Sequence, residues 1–432
     1  MWQMQTLVFI KMTEEWEQLH LELKKLPQGV ESVPQYLRHL NKMFAADFET
    51  SMSKRLDVKF WNKLKSMMNE MRKASEKDKV VDLNVQNLAL GFLTDLSLLV
   101  HSNYEIPNFG EDISSQLTWT PCTYGKRKPV KSKTHCRVFI AYILLRMGDL
   151  IRYKEIYPKA KEYYEQSCRI NPADGAVWNQ LGLISVMSAK LLESTYFHTR
   201  ALHATLEFPA ASGSLTSIFK KFANRDISKP MPINELYLAC LAKIHFLLEI
   251  ENSKDNLQKI SEKAAISKEM LIPLMSVYEH LEYGTEIEQR AVQYVTTLWQ
   301  NSYEILLKTM VDDDEHRPEY LHLLAFYHSA PKLLENSDDS KYFKCLEKHQ
   351  YPIKKSYLIR ILQGNYLEES LQDESSEFDT STTTSTSSPT KSPRKAPRVP
   401  KPESSDEECL QRGRRRGRAV LNESVDSDEE DF

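Results

Sequence analysis

The feature that most constrains the fold is a set of apolar and small residues that returns after 34 positions. Leu144 and Gly148 are answered by Trp178 and Gly182, with Leu181 directly before the second glycine. Between the two glycines lie Ala160, Tyr164 and Pro172. This spacing suits a hairpin of two antiparallel helices. Small residues let the helices approach, the aromatic fills the gap toward the next hairpin, and proline ends the second helix. The second copy is looser, because Ser194 replaces the second small residue and its proline, Pro209, comes late. Stacked repeats need about three units to stand alone, so neighbouring helices must complete the core.

The named residues occupy positions 4, 8, 20, 24 and 32 of a tetratricopeptide unit. On either side the chain also reads as helix. Apolar residues recur three and four apart over Glu14 to Leu26, Val33 to Phe48, Lys54 to Ala74 and Asp82 to Val100, which predicts four amphipathic helices. With only 12 glycines in 432 residues, short strands joined by Gly-rich turns are disfavoured and an all-α body is expected. The periodicity breaks between Ser102 and Lys133, where Pro107, Gly110, Pro121, Gly125 and Pro129 surround the basic run Lys126-Arg-Lys128, as in a surface loop. It resumes at Thr134 and persists to about Glu368, with Pro273 and the acidic run Asp312 to Glu315 as breaks. The expected units are residues 1–228 with a loop insertion at about 103–133, a helical extension at 229–370, and a tail at 371–432. The tail is rich in Ser, Thr, Pro, Arg and acids and too poor in large apolar residues to offset chain entropy, so it is expected to be disordered.

Composition excludes rather little. The 57 basic and 60 acidic residues leave a formal charge of −3, which points neither to a globally basic nucleic-acid binder nor to an acidic solvating chain. Six cysteines are scattered without a C-x-x-C pair, so they read as reduced thiols rather than a disulfide framework or a zinc site. The N-terminal apolar run is too short for a secretory segment, and no stretch is expected to reach the roughly 18 apolar residues of a membrane span. The location expected from these features is the cytoplasm, with shuttling to the nucleus. There is no P-loop, G-x-G-x-x-G, G-x-S-x-G or H-E-x-x-H motif, and His322 with His328 lacks metal-ligand spacing. Neither an enzyme nor a cofactor is expected.

The informative segment is Met147-Gly-Asp-Leu-Ile-Arg-Tyr153, in the first helix of a hairpin. Arg152 follows one turn after Gly148, so its guanidinium can lie on the concave face and fork onto two phosphate oxygens. The same spacing serves an ion pair with a nearby acid equally well. Lys59, Lys63 and Lys65 on the third predicted helix add positive charge, although lysines at helical spacing usually form a solvated face.

The motif Gly148-Asp-x-x-Arg-Tyr153 resembles the phosphate-clasping helix of 14-3-3 proteins. Together with Ala160-Lys-Glu-Tyr-Tyr164, Asn171-Pro172, Trp178-Asn-Gln-Leu-Gly182 and Phe208-Pro-Ala-Ala-Ser212, it is similar in order and spacing to the Ever-Shorter-Telomeres/Smg family. Asp57 with Trp61-Asn62, and Gln35-Tyr-Leu37 and Lys42-Met43 upstream, extend the match toward the N-terminus. The resemblance is good over roughly residues 30–225 and loose beyond. It implies a 14-3-3-like domain built on tetratricopeptide hairpins, followed by a helical-hairpin extension. It further implies an adaptor of nonsense-mediated mRNA decay that binds phosphorylated Ser/Thr-Gln segments of the decay helicase. Pairing with a homologous Smg protein and recruitment of decay or phosphatase factors are also implied. The family's phosphate arginine falls on Arg152 with Tyr153 beside it, and Asn179 matches the asparagine that holds the peptide backbone. No nuclease domain is expected after Leu371, which points to the fifth and seventh Smg branches, with Phe208 to Ser212 closer to the seventh.

One departure concerns the second phosphate contact, a lysine five positions after the Trp of Trp-Asn in the family. Ser66 stands there, with Lys65 one position before and Lys63 on the same helix. One residue is about 100° of helix, so Lys65 is expected to substitute only by bending back. Losing a charge-assisted bond of about 1.5–3 kcal/mol would weaken binding roughly tenfold to over a hundredfold. In the tail, Ser388-Pro and Ser392-Pro suit proline-directed kinases, and Ser404 and Ser427 precede acidic runs. The five arginines between Arg412 and Arg418 suit a weak, salt-sensitive RNA contact or nuclear import. Two other readings stay open from sequence: a telomerase-associated RNA/DNA-binding subunit, and a tetratricopeptide scaffold without phosphate recognition.

Overall fold

A computed structural model of the protein describes residues 14–27, 30–74, 79–106, 126–250, 254–281 and 284–312, with residues 323 and 327 beyond them. These residues fall in one compact unit spanning 1–369. The expected helix over 320–367, apart from Leu323 and Tyr327, and the expected tail lie outside the described residues, as do the 107–125 part of the loop and the phosphosites.

The N-terminal helices are α1 (residues 14–23), α2 (Val33–Ala46), α3 (Phe48–Ser53), α4 (Leu56–Ala74) and α5 (Lys79–Asn103). The helix expected to run to Phe48 instead stops at Ala46, because Asp47 is extended and caps the next helix. Its carboxylate accepts from the Thr50 amide at 3.0 Å and the Thr50 hydroxyl at 2.7 Å. The loop is not wholly irregular. Strands β1 (Tyr104–Glu105) and β2 (Lys128–Pro129) pair in parallel, and Lys128 Nζ reaches the carbonyls of Ala45 and Ala46 at 3.3 and 3.4 Å, at the negative end of α2. Part of the basic run thus closes a helix end.

The repeat forms two hairpins: α6 (Lys133–Tyr153) with α7 (Tyr157–Ile170), and α8 (Gly175–Met187) with α9 (Leu191–Leu202). Their turns match residue for residue. Glu155 and Ala189, 34 positions apart, have φ of 61° and 57°. Ile156 N–H returns to the Ile151 carbonyl at 3.2 Å, as Lys190 N–H does to Ser185 at 2.8 Å. Ser194 does not loosen the second hairpin, since its buried hydroxyl donates to the Gly182 carbonyl at 2.9 Å. The aromatic at position 24 packs within its own hairpin, on the glycine of the facing helix. The ring of Tyr164 packs on Gly148, and that of His198 on Gly182.

Helix α10 (Ala211–Phe222) follows the hairpins within the expected 1–228 unit, and the expected extension begins with α11 (Ile233–His245), α12 (Lys254–Ala264), α13 (Lys268–Glu279) and α14 (Glu286–Asp312). Pro273 is not a break: it lies buried inside α13, where apolar packing of Leu271 and Leu274 offsets the lost N–H. Helix α9 packs on α10 and α13, and His203 Nε2 meets Ser276 Oγ at 2.8 Å across the expected 228/229 boundary. One helix departs from the membrane expectation: Leu83–Asn103 of α5 is long and apolar enough to cross a membrane by length and composition. It packs on α2, α4 and α6, and 39% of the stretch is buried in the protein.

Candidate functional site

Helix α6 carries the core of the site. Ser132 caps its start by accepting from the His135 amide at 3.1 Å, and the turn at Lys154-Glu155 ends it, so Arg152 and Tyr153 occupy its last turn. Asp149, one turn earlier, is 1% exposed and lies between two arginines. Arg146 Nη1 donates to its Oδ2 at 2.9 Å, and Arg152 Nη2 stands 4.0 Å from its Oδ1. Tyr164, from α7, donates its hydroxyl to Asp149 Oδ1 at 2.7 Å and accepts from Arg152 Nε at 3.3 Å. Burial works against the Arg152 charge, yet Asp149, Tyr164 and Tyr153 together hold its pKa above the ordinary arginine value. Burial and Asp149 push the Tyr164 phenol well up, so it stays protonated as a donor.

Helix α4 supplies the opposing charge. The Arg152 guanidinium lies 4.7 Å from the centre of the Tyr153 ring, and the guanidinium of Arg72, from the end of α4, lies 5.5 Å from the same ring. At the other end of the contact, Arg146 sits 5.1 Å over the Trp61 ring. Trp61 and Arg72 therefore both face α6, and Lys65 falls within about 40° of each on the helix circumference. Lys65 is on the stripe that faces α6 without bending back, while Ser66 is turned away and exposed.

The structure does not bring all the expected residues together. Lys63 lies on another side of α4, with its ammonium 5.2 Å over the Tyr36 ring of α2. Asn179 belongs to the second hairpin, where it is 6% exposed and its Oδ1 accepts from His198 Nδ1 at 3.0 Å. That bond uses the carbonyl side of the amide, so the NH2 side is the one that can donate further. Burial lowers His198 to a pKa of about 4, so the ring is neutral at pH 7. Arg72 escaped the sequence reading. Its signal was available in the seven-residue interval from Lys65, two helical turns, but only the contact of α4 with α6 shows that this stripe meets Tyr153. Among the described residues no group of three or more His, Cys, Asp or Glu is placed to hold a metal ion.

The Est1 DNA/RNA binding domain family matches residues 160–236. A solved chain of the C. elegans SMG5–SMG7 complex is 68% identical, with a TM-score of 0.71 over 76% of this chain and 86% of that one. The chain belongs to the Est1/SMG family. SMG7 of Danio rerio is 25% identical over 238 residues, 51% of this chain and 20% of that protein. SMG5 of Danio rerio is 28% identical over 145 residues, 31% of this chain and 13% of that protein. This Est1/SMG chain thus spans about a fifth or less of the length of the curated relatives it matches. Its all-α architecture agrees with the helical fold of the SMG5–SMG7 chain.

Proposed function

We propose that this chain is a non-enzymatic adaptor of nonsense-mediated mRNA decay that holds phosphorylated Ser/Thr-Gln segments of the decay helicase in a 14-3-3-like groove. The phosphate sits against Arg152, Arg72 and Lys65, with Tyr153 as the shared platform and the Asn179 amide holding the peptide backbone one hairpin further on. The observation that carries this reading is the convergence of Arg72 and Arg152 on the Tyr153 ring. Two guanidiniums drawn to one aromatic ring gather charge that a dianion can neutralise in paired hydrogen bonds.

The chain pairs with a homologous Smg protein, a reading supported by its likeness to a chain of the SMG5–SMG7 complex. The apolar surface suited to that role is on α5, where Leu83 and Leu88 are 48% and 45% exposed and Gly91 faces open space. Other surfaces recruit decay or phosphatase factors in the cytoplasm, and the arginine-rich tail makes weak RNA contacts.

Fluorescence anisotropy of a phosphoserine-Gln helicase peptide and its unphosphorylated twin on the full chain tests the phosphate reading. The phosphopeptide should bind, the twin should not, and Arg72→Glu and Arg152→Glu should each abolish the difference while the helical signal survives. Equal binding of the two peptides to the wild type would refute the reading and favour a scaffold that ignores phosphate.

A further inference from the structure

The motif Gly148-Asp-x-x-Arg-Tyr153 contains two residues that phosphate contact alone does not use, Gly148 and Asp149. Tyr164 accounts for both. Its ring fills the space a β-carbon at position 148 would need, with two ring carbons 2.6 and 2.8 Å from that point. Its hydroxyl gives its one proton to Asp149 Oδ1, so the same oxygen is left to accept from Arg152 Nε. The other carboxylate oxygen is taken by Arg146 Nη1. With Tyr164 at 0% and Asp149 at 1% exposure, the Tyr164–Asp149 bond is shut off from bulk water.

We infer that Asp149 and Tyr164 are positioning residues for Arg152: the buried run from Arg152 Nε through Tyr164 Oη to Asp149 Oδ1 fixes the guanidinium plane and leaves its two terminal nitrogens as the edge offered to a phosphate dianion. This rests on the phosphate reading above. A guanidinium presents its donors in a rigid fork. Once Nε is committed, the remaining edge that matches two phosphate oxygens is the Nη1/Nη2 pair. Neither terminal nitrogen makes a hydrogen bond among the described residues, the Nη2 to Asp149 Oδ1 separation being 4.0 Å. A side chain held before the ligand arrives loses less freedom on binding. Arg146 neutralises Asp149, so the carboxylate orients Arg152 without setting its own charge against the ligand.

The test uses the full chain, the phosphoserine-Gln peptide and its twin, with affinities measured at fixed salt from about pH 5 to pH 8, across the second ionisation of phosphoserine near 6. Tyr164→Phe keeps the ring on Gly148 and removes only the hydroxyl, and Asp149→Asn keeps the shape and removes the charge. Both should weaken phosphopeptide binding about tenfold with the twin unchanged. Both should also move the pH midpoint of binding up toward that of the free peptide, because the bound dianion is favoured less. A folded Tyr164→Phe protein with wild-type phosphopeptide affinity and midpoint would overturn the inference and leave the pair as a hairpin clasp. Should Asp149→Asn fail to fold, Tyr164→Phe decides alone. A wild type that does not tell the peptides apart overturns the phosphate reading first and this inference with it, an outcome distinct from failure of the variants.

Discussion

Tyr164 and His198, 34 residues apart, hold the same place in successive hairpins, each with its ring where a β-carbon on the facing glycine would stand. Each also bonds a polar residue of the hairpin's first helix: Tyr164 reaches Asp149, and His198 reaches Asn179. One repeat position thus anchors a polar side chain of the first helix twice, with a phenol on the Asp149 carboxylate and a neutral imidazole on the Asn179 amide.

Close packing at the two glycines predicts that Gly148→Ala and Gly182→Ala each destabilise the fold by about 1–3 kcal/mol. The added methyl would meet the Tyr164 ring at 2.6 Å and the His198 ring at 2.7 Å, and both rings are tethered by hydrogen bonds. Urea unfolding checks this. A change below about 0.5 kcal/mol, the usual scale of surface substitutions, would show that the rings move aside.

His198 should make stability fall in mildly acidic solution. Burial lowers its folded pKa to about 4 from the ordinary 6.5, so the unfolded chain takes up the proton first as pH falls. The contribution of the neutral ring is complete above about pH 6.5 and is lost progressively toward pH 4, amounting to about 2 kcal/mol at pH 5. Comparing urea midpoints at pH 7 and pH 5 for wild type and His198→Gln isolates it. Equal pH sensitivity in the two proteins would contradict the assignment.

Among the basic residues of α4, side should matter more than number. Lys65→Ala and Arg72→Ala should weaken phosphopeptide binding about tenfold each and make it less sensitive to salt. Lys63→Ala, which loses only its place over Tyr36, should leave binding within about twofold, the scale of a weak exposed cation–π contact. A salt titration of the three variants separates these cases, and an equal loss from Lys63→Ala would count against the Lys65–Arg72 stripe.

The exposed apolar residues of α5 should govern pairing with a homologous Smg protein. Leu83→Asp with Leu88→Asp should abolish co-elution with such a partner and leave the thermal unfolding of the single chain almost unchanged, since both side chains are about half exposed. Co-elution that survives the double change would place the interface elsewhere.

Much of the fold was legible because helices and helical hairpins announce themselves locally. The 34-residue period located both hairpins, and apolar periodicity found α1, α2, α4 and α5 to within a few residues but not the short α3. Boundaries failed where a side chain overrode the pattern, as when Asp47 capped a new helix, or where packing tolerated an unfavourable residue, as at Pro273. The motif singled out Arg152 and Tyr153, whereas the spacing rule had Lys65 reaching the site only by bending back. Arg72 was not legible, because whether a charged stripe faces a site or solvent depends on which helix lies beside it.

By itself the sequence determined the helical class, the two hairpins, and the small and aromatic positions that let their helices approach, since these follow from interactions within about 34 residues. Only the tertiary structure decided which charges meet. The packing of α4 along α6 brings Arg72 to Tyr153 and turns Lys63 toward Tyr36, and the crossing of α7 behind α6 places Tyr164 beneath both Asp149 and Arg152. The physical reason is that a helix face is a local property of its sequence, whereas the neighbour that face meets is set by burial of the whole core.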